Sequence, residues 1–247
     1  MALSILYRDE RLIAIDKPSG LLVHRSDIDR HETRFAVQLL RDQIGQRVQP
    51  VHRLDKGTSG VLLFALDAEA AGDLGRQFEA NAVSKTYLAV VRGWPPESGV
   101  IDQPLLRHHD DYGRATPASE PQSAVTRFRR LATAELPFEV EGYPTSRYAL
   151  VELKPETGRR HQLRRHLANT AHPIIGDATY GRGRHNRFFQ HQFGCHRLLL
   201  ACVELVFRHP DGRQLSIAAP PADQLAGVLG ALFPAVAARS PGASIYP

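Results

Sequence analysis

The stretch His52–Leu66, HRLDKGTSGVLLFAL, decides how the rest of the chain is read. Its first half is charged and its second half is a continuous apolar run. Asp55 sits between Arg53 and Lys56, with His52 just upstream, and Gly57, Thr58, Ser59 and Gly60 allow a tight bend before the strand expected over Val61–Leu66. A loop ending on a buried strand is a rigid mount for a reactive group. Two readings of Asp55 are open: a side chain that caps its own turn, or a carboxylate kept ionised by two flanking cations and so suited to act as nucleophile or base, not as general acid.

Working outward, apolar spacing predicts helices near Thr33–Ile44, stopped by Gly45, and after Asp67, which is placed to cap. Leu12–Asp16, a Ser19-Gly20 turn and Leu21–His24 read as a compact hairpin. Lys85–Val91 alternates, with Lys85, Tyr87, Ala89 and Val91 on one face. Strands are expected at Val125–Leu131, Arg147–Leu153, Leu198–Phe207 and Gln214–Ala218, the last two joined through Asp211-Gly212. An Arg-rich helix is expected over about 160–169 and a short one within Pro220–Phe233. Arg107–Gln122 reads as an exposed polar loop between two halves. The class is therefore α+β with a mostly antiparallel sheet. Residues 1–233 are expected to form one domain of two halves, followed by a frayed tail over 234–247.

The chain carries 31 Lys and Arg against 26 Asp and Glu, a net charge of +5. That balance fits an anionic partner without requiring one; the cluster Arg159, Arg160, Arg164 and Arg165 is more specific. Cys195 and Cys202 form neither a disulfide framework nor a Cys-x-x-Cys pair, so neither a disulfide nor a metal site is expected. His161 and His166, five apart, are poorly spaced as ligands on one helix face and read as structural or ligand-facing. Charges early in MALSILYRDE argue against a signal peptide, and no run is long enough for a transmembrane helix, so a cytoplasmic protein is expected.

The motif HRLDKGTSGVLLFAL resembles the catalytic segment of the RluA-type pseudouridine synthases. KPSGLLVH at Lys17–His24, SKTYLAVVRG at Ser84–Gly93 and ETGRRHQLRRHLANTAHPIIGDATYG at Glu156–Gly181 follow the family's other motifs in order. The likeness runs from about Ile5 to Ala219 and is nearest to the type that modifies uridine 65 in the T-stem of tRNA. It draws on HRSDIDRHE near Arg25, RDQIGQ at Arg41 and PQSAVTRFRRLAT.

The resemblance implies a curved mixed sheet, a cleft between two halves, no cofactor, and RNA as substrate. By the match, Asp55 is the catalytic carboxylate, Tyr87 stacks on the extruded uracil, and Arg164 pairs with Asp55. Arg53 enters the base stack where the target has left, and Leu163 lines the base pocket. Lys85, Arg160 and Arg165 are candidates for phosphate contacts, with the helical spacing placing Arg160 and Arg164 on one face. In CHRLLLACVEL the family commonly has His-Ala where this chain has Ala201-Cys202, a departure read as core packing that leaves the Asp, Tyr and Arg positions untouched.

The expected activity is isomerisation of a tRNA uridine by a monomer. The chain starts almost directly with the Leu12 hairpin, so the separate N-terminal RNA-binding module of some ribosomal-RNA members is not expected. The alternative within the family is a ribosomal-RNA pseudouridine synthase. Outside it stand a magnesium-dependent aspartyl phosphotransferase, suggested by DKGT at Asp55–Thr58, and a non-catalytic RNA-binding module. The first lacks the paired carboxylates that would hold magnesium, and the second gives no reason for a carboxylate among cations.

Overall fold

A computed structural model describes residues 2–25, 32–106 and 120–238. In chain order the strands are β1 (Ser4–Arg8), β2 (Leu12–Lys17), β3 (Gln49–Pro50), β4 (Ser59–Ala65), β5 (Ser84–Arg92), β6 (Ser98–Asp102), β7 (Val125–Leu136), β8 (Ser146–Pro155), β9 (Leu200–Arg208) and β10 (Gln214–Ala218). The helices are α1 (Ala36–Ile44), α2 (Ala68–Glu79), α3 (Gln162–Asn169), α4 (Gly183–Phe193), α5 (Asp223–Leu232) and α6 (Pro234–Ala237). All ten strands belong to one sheet, ordered β1-β2-β4-β9-β5-β8-β7-β6, with β3 added to β4 and β10 to β9. Every strand pairing is antiparallel except β4 with β9. The α+β class with a mixed, mostly antiparallel sheet is therefore as expected.

That parallel joint is where the two halves meet, and it is short: Ser59 pairs with Ala201 and Gly60 with Cys202. Gly60 has φ +105, and a Cβ there would lie 2.0 Å from the Cys202 carbonyl oxygen. Only glycine permits so close an approach. The catalytic-motif loop thus enters the sheet at its centre.

Three apolar clusters hold the layers. One joins β1, β2 and β4 to α1 and α2 through Leu12, Ile13, Leu40, Leu63 and Leu74. Beyond the joint, strand alternation divides β5 between two cores: Leu88 and Val90 pack toward α4 and α5, whereas Ala89 and Val91 pack toward α3 with Leu163 and Leu167. Both helix signals near the N-terminus hold. Gly45 ends α1 in the left-handed conformation, and the Asp67 carboxylate accepts from Ala70 N at 2.8 Å to cap α2.

The expected hairpin over Leu12–His24 is not formed. β2 pairs with β1 on one side and β4 on the other, and Leu21–His24 is not a strand. The reason is Lys17, fully buried, whose ammonium donates to the carbonyls of Pro18 (2.9 Å), Leu21 (2.7 Å) and Lys56 (3.3 Å), while Gly20 N donates to Lys56 O at 2.8 Å. The segment is wrapped against the loop that carries Asp55.

The Arg-rich helix begins at Gln162, not at 160, because the Gln162 amide oxygen accepts from Arg159 N (3.0 Å) and Thr157 Oγ1 (2.8 Å), and His161 is left-handed at φ +54. β1, β3, β6 and α4 were not expected from the sequence. Of the polar loop Arg107–Gln122, residues 107–119 lie outside the described residues; its base is closed by Leu105 and Gln122, which exchange two backbone bonds of 2.9 Å. Pro234–Ala237, the start of the expected tail, is α6, and residues 239–247 lie outside the described residues.

Candidate active site

Asp55 leaves the turn before β4 half-buried, at the wall between two cavities. One, of about 460 Å³, is lined by Lys85, Tyr87, Leu163 and Leu200. The other, of about 840 Å³, runs toward Lys56, Asp177 and Arg197. Arg53, Asp55, Arg160, His161 and Arg164 line both. The sequence places these residues far apart; the central joint, β5 and the start of α3 bring them together.

Arg164 Nη1 donates to Asp55 Oδ2 at 3.3 Å. Its better bonds go to Asp177, Nε to Oδ2 at 2.7 Å and Nη2 to Oδ1 at 2.9 Å, the two-point geometry suited to a planar guanidinium. Burial works against the charge of Asp177, but Arg164 and the backbone N–H groups of Tyr180 and Thr179 outweigh it and hold the carboxyl below its usual range. Burial likewise opposes the guanidinium of Arg164, and the two carboxylates more than compensate. On its other side Arg164 lies over the Tyr180 ring, 5.1 Å from the centroid. His161 completes the surround, with Nε2 3.8 Å from Asp55 Oδ1 and Nδ1 3.0 Å from the Tyr180 hydroxyl.

The cation beside Asp55 is therefore Arg164, brought from 109 residues away, and not the flanking lysine. Lys56 Nζ turns to Glu32 at 2.9 Å. His52 also faces away: it accepts from Leu63 N at 3.0 Å and stacks on Phe78 at 4.7 Å, and burial pushes its imidazole down to about 3. Sequence neighbours in a tight turn point in different directions, which linear spacing does not reveal.

Tyr87 and Lys85 line the same cavity, as the alternation of β5 predicts. Lys85 is buried, not solvated, and burial lowers its pKa, with the Cys202 thiol opposing. Leu163 both packs against the β5 face and lines the cavity. Arg160 reaches both cavities from the turn before α3, so it shares a site with Arg164 without sharing a helix face. Arg165 lines neither; it donates to Leu106 O at 2.9 Å, at the base of the polar loop. His166 is buried between Thr126 Oγ1 and Gln103 O, each at 3.0 Å, and is structural.

The Ala201-Cys202 departure does touch the site. Cys202 is the cross-strand partner of Tyr87, beside an irregularity in the β5–β9 register between Thr86 and Tyr87. The thiol faces Tyr87 across the strands and donates to Glu204 O at 3.8 Å. Burial, then Cys202, raises the Tyr87 phenol well above its usual value, and burial pushes the thiol up to about 12.

Asp177 and Tyr180 were not singled out in the sequence, and His161 was read only as structural or ligand-facing. The first two lie in the quoted GDATYG run, so the signal was present; nothing there tells that Asp177 grips Arg164. Arg197 is also part of the wall, its Nη2 2.6 Å from Ser59 Oγ across the joint between halves. Among the described residues no group of three His, Cys, Asp or Glu is placed to hold a metal ion, and the second carboxylate near Asp55 is engaged by Arg164. No described helix is long and apolar enough to cross a membrane.

Residues 11–169 match the family model for RNA pseudouridylate synthases. The chain belongs to that family. The synthase is 51% identical over 210 residues to a tRNA pseudouridine synthase C of Vibrio parahaemolyticus, covering 84% of this chain and 85% of the relative. It is 52% identical over 216 residues to one from Pasteurella multocida, covering 87% and 89%. Among solved structures, human RNA pseudouridylate synthase domain containing 4 superposes with a TM-score of 0.70 at 26% identity, over 92% of the synthase and 91% of that chain. Human RNA pseudouridylate synthase domain containing 1 gives 0.68 at 28% identity, over 89% and 83%. The enzyme is a pseudouridine synthase, an isomerase.

Proposed function

We propose that this synthase isomerises a uridine of tRNA, uridine 65 in the T-stem, with Asp55 as the catalytic carboxylate. The observation that carries the proposal is the convergence of Asp55, Arg164 and Tyr87 on shared cavity walls in a chain about half identical to tRNA pseudouridine synthases C. The volume on the Tyr87 side is within the range of small-molecule pockets and suits a base taken out of its stack. Residues 1–233 act as one catalytic domain, a monomer working in the cytoplasm.

The isomerisation breaks the bond from uracil N1 to C1′, turns the base, joins C5 to C1′, releases the proton of C5 and leaves N1 protonated from solvent. Tyr87 offers the face on which the uracil rests while it turns. Asp55 either attacks C1′ or takes a proton from the ribose, and the geometry serves both routes. Arg164, fixed by Asp177, orients Asp55 through its free edge. Leu163 lines the base pocket, Arg53 fills the gap in the stack, and Arg160 takes a phosphate beside the cavities. Buried Lys85 shapes the pocket floor, and Arg165 fastens the loop base. No step needs a cofactor.

The test is label release from uridine carbon five on unmodified tRNA and on ribosomal fragments. Release from tRNA, lost when U65 is replaced by C, supports the reading. Release from ribosomal fragments alone would move the substrate to ribosomal RNA and leave the chemistry standing.

A further inference from the structure

From Ala178 to Val203 the chain runs for 26 residues without a carboxylate, while carrying Arg182, Arg184, Arg187, Arg197 and His191. The middle of this stretch is α4, eleven residues long. His185 and Phe189 bury one side of the helix. Arg184, Arg187 and His191, at positions i, i+3 and i+7, share the opposite side and are exposed.

Several arginines on other faces of the molecule are neutralised locally, Arg11 by Asp67, Arg76 by Asp73, Arg127 by Glu156 and Arg147 by Glu135. Neither Arg184 nor Arg187 has an acidic partner among the described residues. A like-charged, acid-free helix face repels itself, and no contact within the described residues offsets that repulsion. An external polyanion would.

The helix is also rigidly tied to the reacting groups. Asn186 Oδ1 accepts from Gly176 N at 2.8 Å, and its Nδ2 donates to Asp177 O at 2.9 Å. Asp177 in turn clamps Arg164, which faces Asp55. Gly176, Asp177 and Ala178 before the helix and His196 and Arg197 after it line the larger cavity, so both ends of the roughly 16 Å of this eleven-residue helix lie a few residues from that cavity's wall.

We propose that the Arg184–Arg187–His191 face of α4 is a docking surface for the phosphate backbone of a folded RNA stem flanking the target uridine. It grips the substrate beyond the cavity and sets how deeply the uridine enters. The proposal rests on the reading of the chain as an RNA-modifying enzyme. Phosphate contacts of this kind position without reading sequence, so the face contributes affinity and register, and base identity is left to the cavity.

The test compares three paired variants with the parent on whichever RNA the parent turns over. Arg184→Gln with Arg187→Gln is expected to raise KM roughly tenfold, leave kcat within about twofold, and lower the slope of log affinity against log salt by about two. Arg184→Lys with Arg187→Lys should restore most of the affinity and the slope. The control, Arg8→Gln with Arg47→Gln, removes two exposed charges from the β1–β4 half and should change neither. Equal loss in the control would reduce α4 to general charge attraction and overturn the proposal, as would an unchanged salt slope or a Lys pair as weak as the Gln pair. A substrate other than tRNA would overturn the tRNA reading but not this surface, since the comparison is made on the RNA that reacts.

Discussion

Arg164 gives its two-point face to Asp177 and only one remaining N–H to Asp55. The buried carboxylate fixes the guanidinium, and the guanidinium then fixes the half-buried one. Asp177 is a positioning residue that acts through Arg164.

Replacing Arg164 by Lys keeps the charge and loses the fork. An ammonium cannot hold Asp177 at two points and still reach Asp55, so kcat should fall about 10- to 100-fold, the equivalent of ~1.5–3 kcal/mol for a hydrogen bond to a charged group. Turnover within twofold of the parent, measured by label release, would show that the fork does not matter.

Asp177→Asn should cost about 3–5 kcal/mol of stability, because it leaves Arg164 buried without its main partner. The pH sign follows from the depressed native pKa of Asp177. Its contribution is complete above the ordinary value of 3.8 and is lost as pH falls through the lower native value. Acid denaturation should therefore be shallower below pH 4 in the variant, as chemical unfolding at several pH values can check.

Lys17 gives a slope of the same sign in a more alkaline window. Burial, and then the nearby Arg197, lowers its pKa to about 7, against an ordinary 10.5. Between these values the folded chain binds fewer protons at this site than the unfolded chain, so the Lys17 contribution to stability rises with pH from about 7 to 10.5. Lys17→Met should remove that rise. A parent and variant with parallel stability curves over this window would refute it.

Asp55→Asn is expected to abolish isomerisation while RNA affinity stays within a few-fold, since shape is kept and one negative charge goes. Gel-shift affinity and label release are measured on the same preparation. Retained turnover would remove Asp55 from the chemistry.

Tyr87→Ala should harm catalysis more than Tyr87→Phe, because Phe keeps a stacking face worth roughly 1–3 kcal/mol. Cys202→Ala removes the thiol that faces Tyr87 across the strands and should resemble Tyr87→Phe, with no further loss when the two are combined. Additive losses in the double variant would separate the thiol from the tyrosine.

The strands and helices with strong periodicity were legible in the sequence, as were the Gly45 stop and the Asp67 cap, because each is set by local backbone physics. The alternation of β5 correctly placed Lys85 beside Tyr87. What escaped was tertiary. Leu21–His24 looks like a returning strand until Lys17 draws the Leu21 carbonyl inward, and Lys56 looks like a partner of Asp55 until its ammonium turns to Glu32 and Arg164 arrives from α3. The arginine was found through the family likeness; its clamp, Asp177, and the contact between Cys202 and Tyr87 depend on cross-strand register and on a turn, which no local pattern encodes. The acid-free run ending before Glu204 was visible all along, but only the burial of His185 and Phe189 shows which side of α4 it charges.

The parallel joint has a consequence for how the molecule comes into being. Ser59 and Arg197, bonded across it, are 138 positions apart, so the loop they close is among the longest in the chain. Contacts of such separation are entropically costly and tend to form late in folding. During synthesis the segment bearing Asp55 emerges well before β9 exists to seat it. A nascent chain therefore carries the reactive carboxylate without its frame, and catalytic competence is withheld from the ribosome-bound polypeptide until nearly the whole chain has been made.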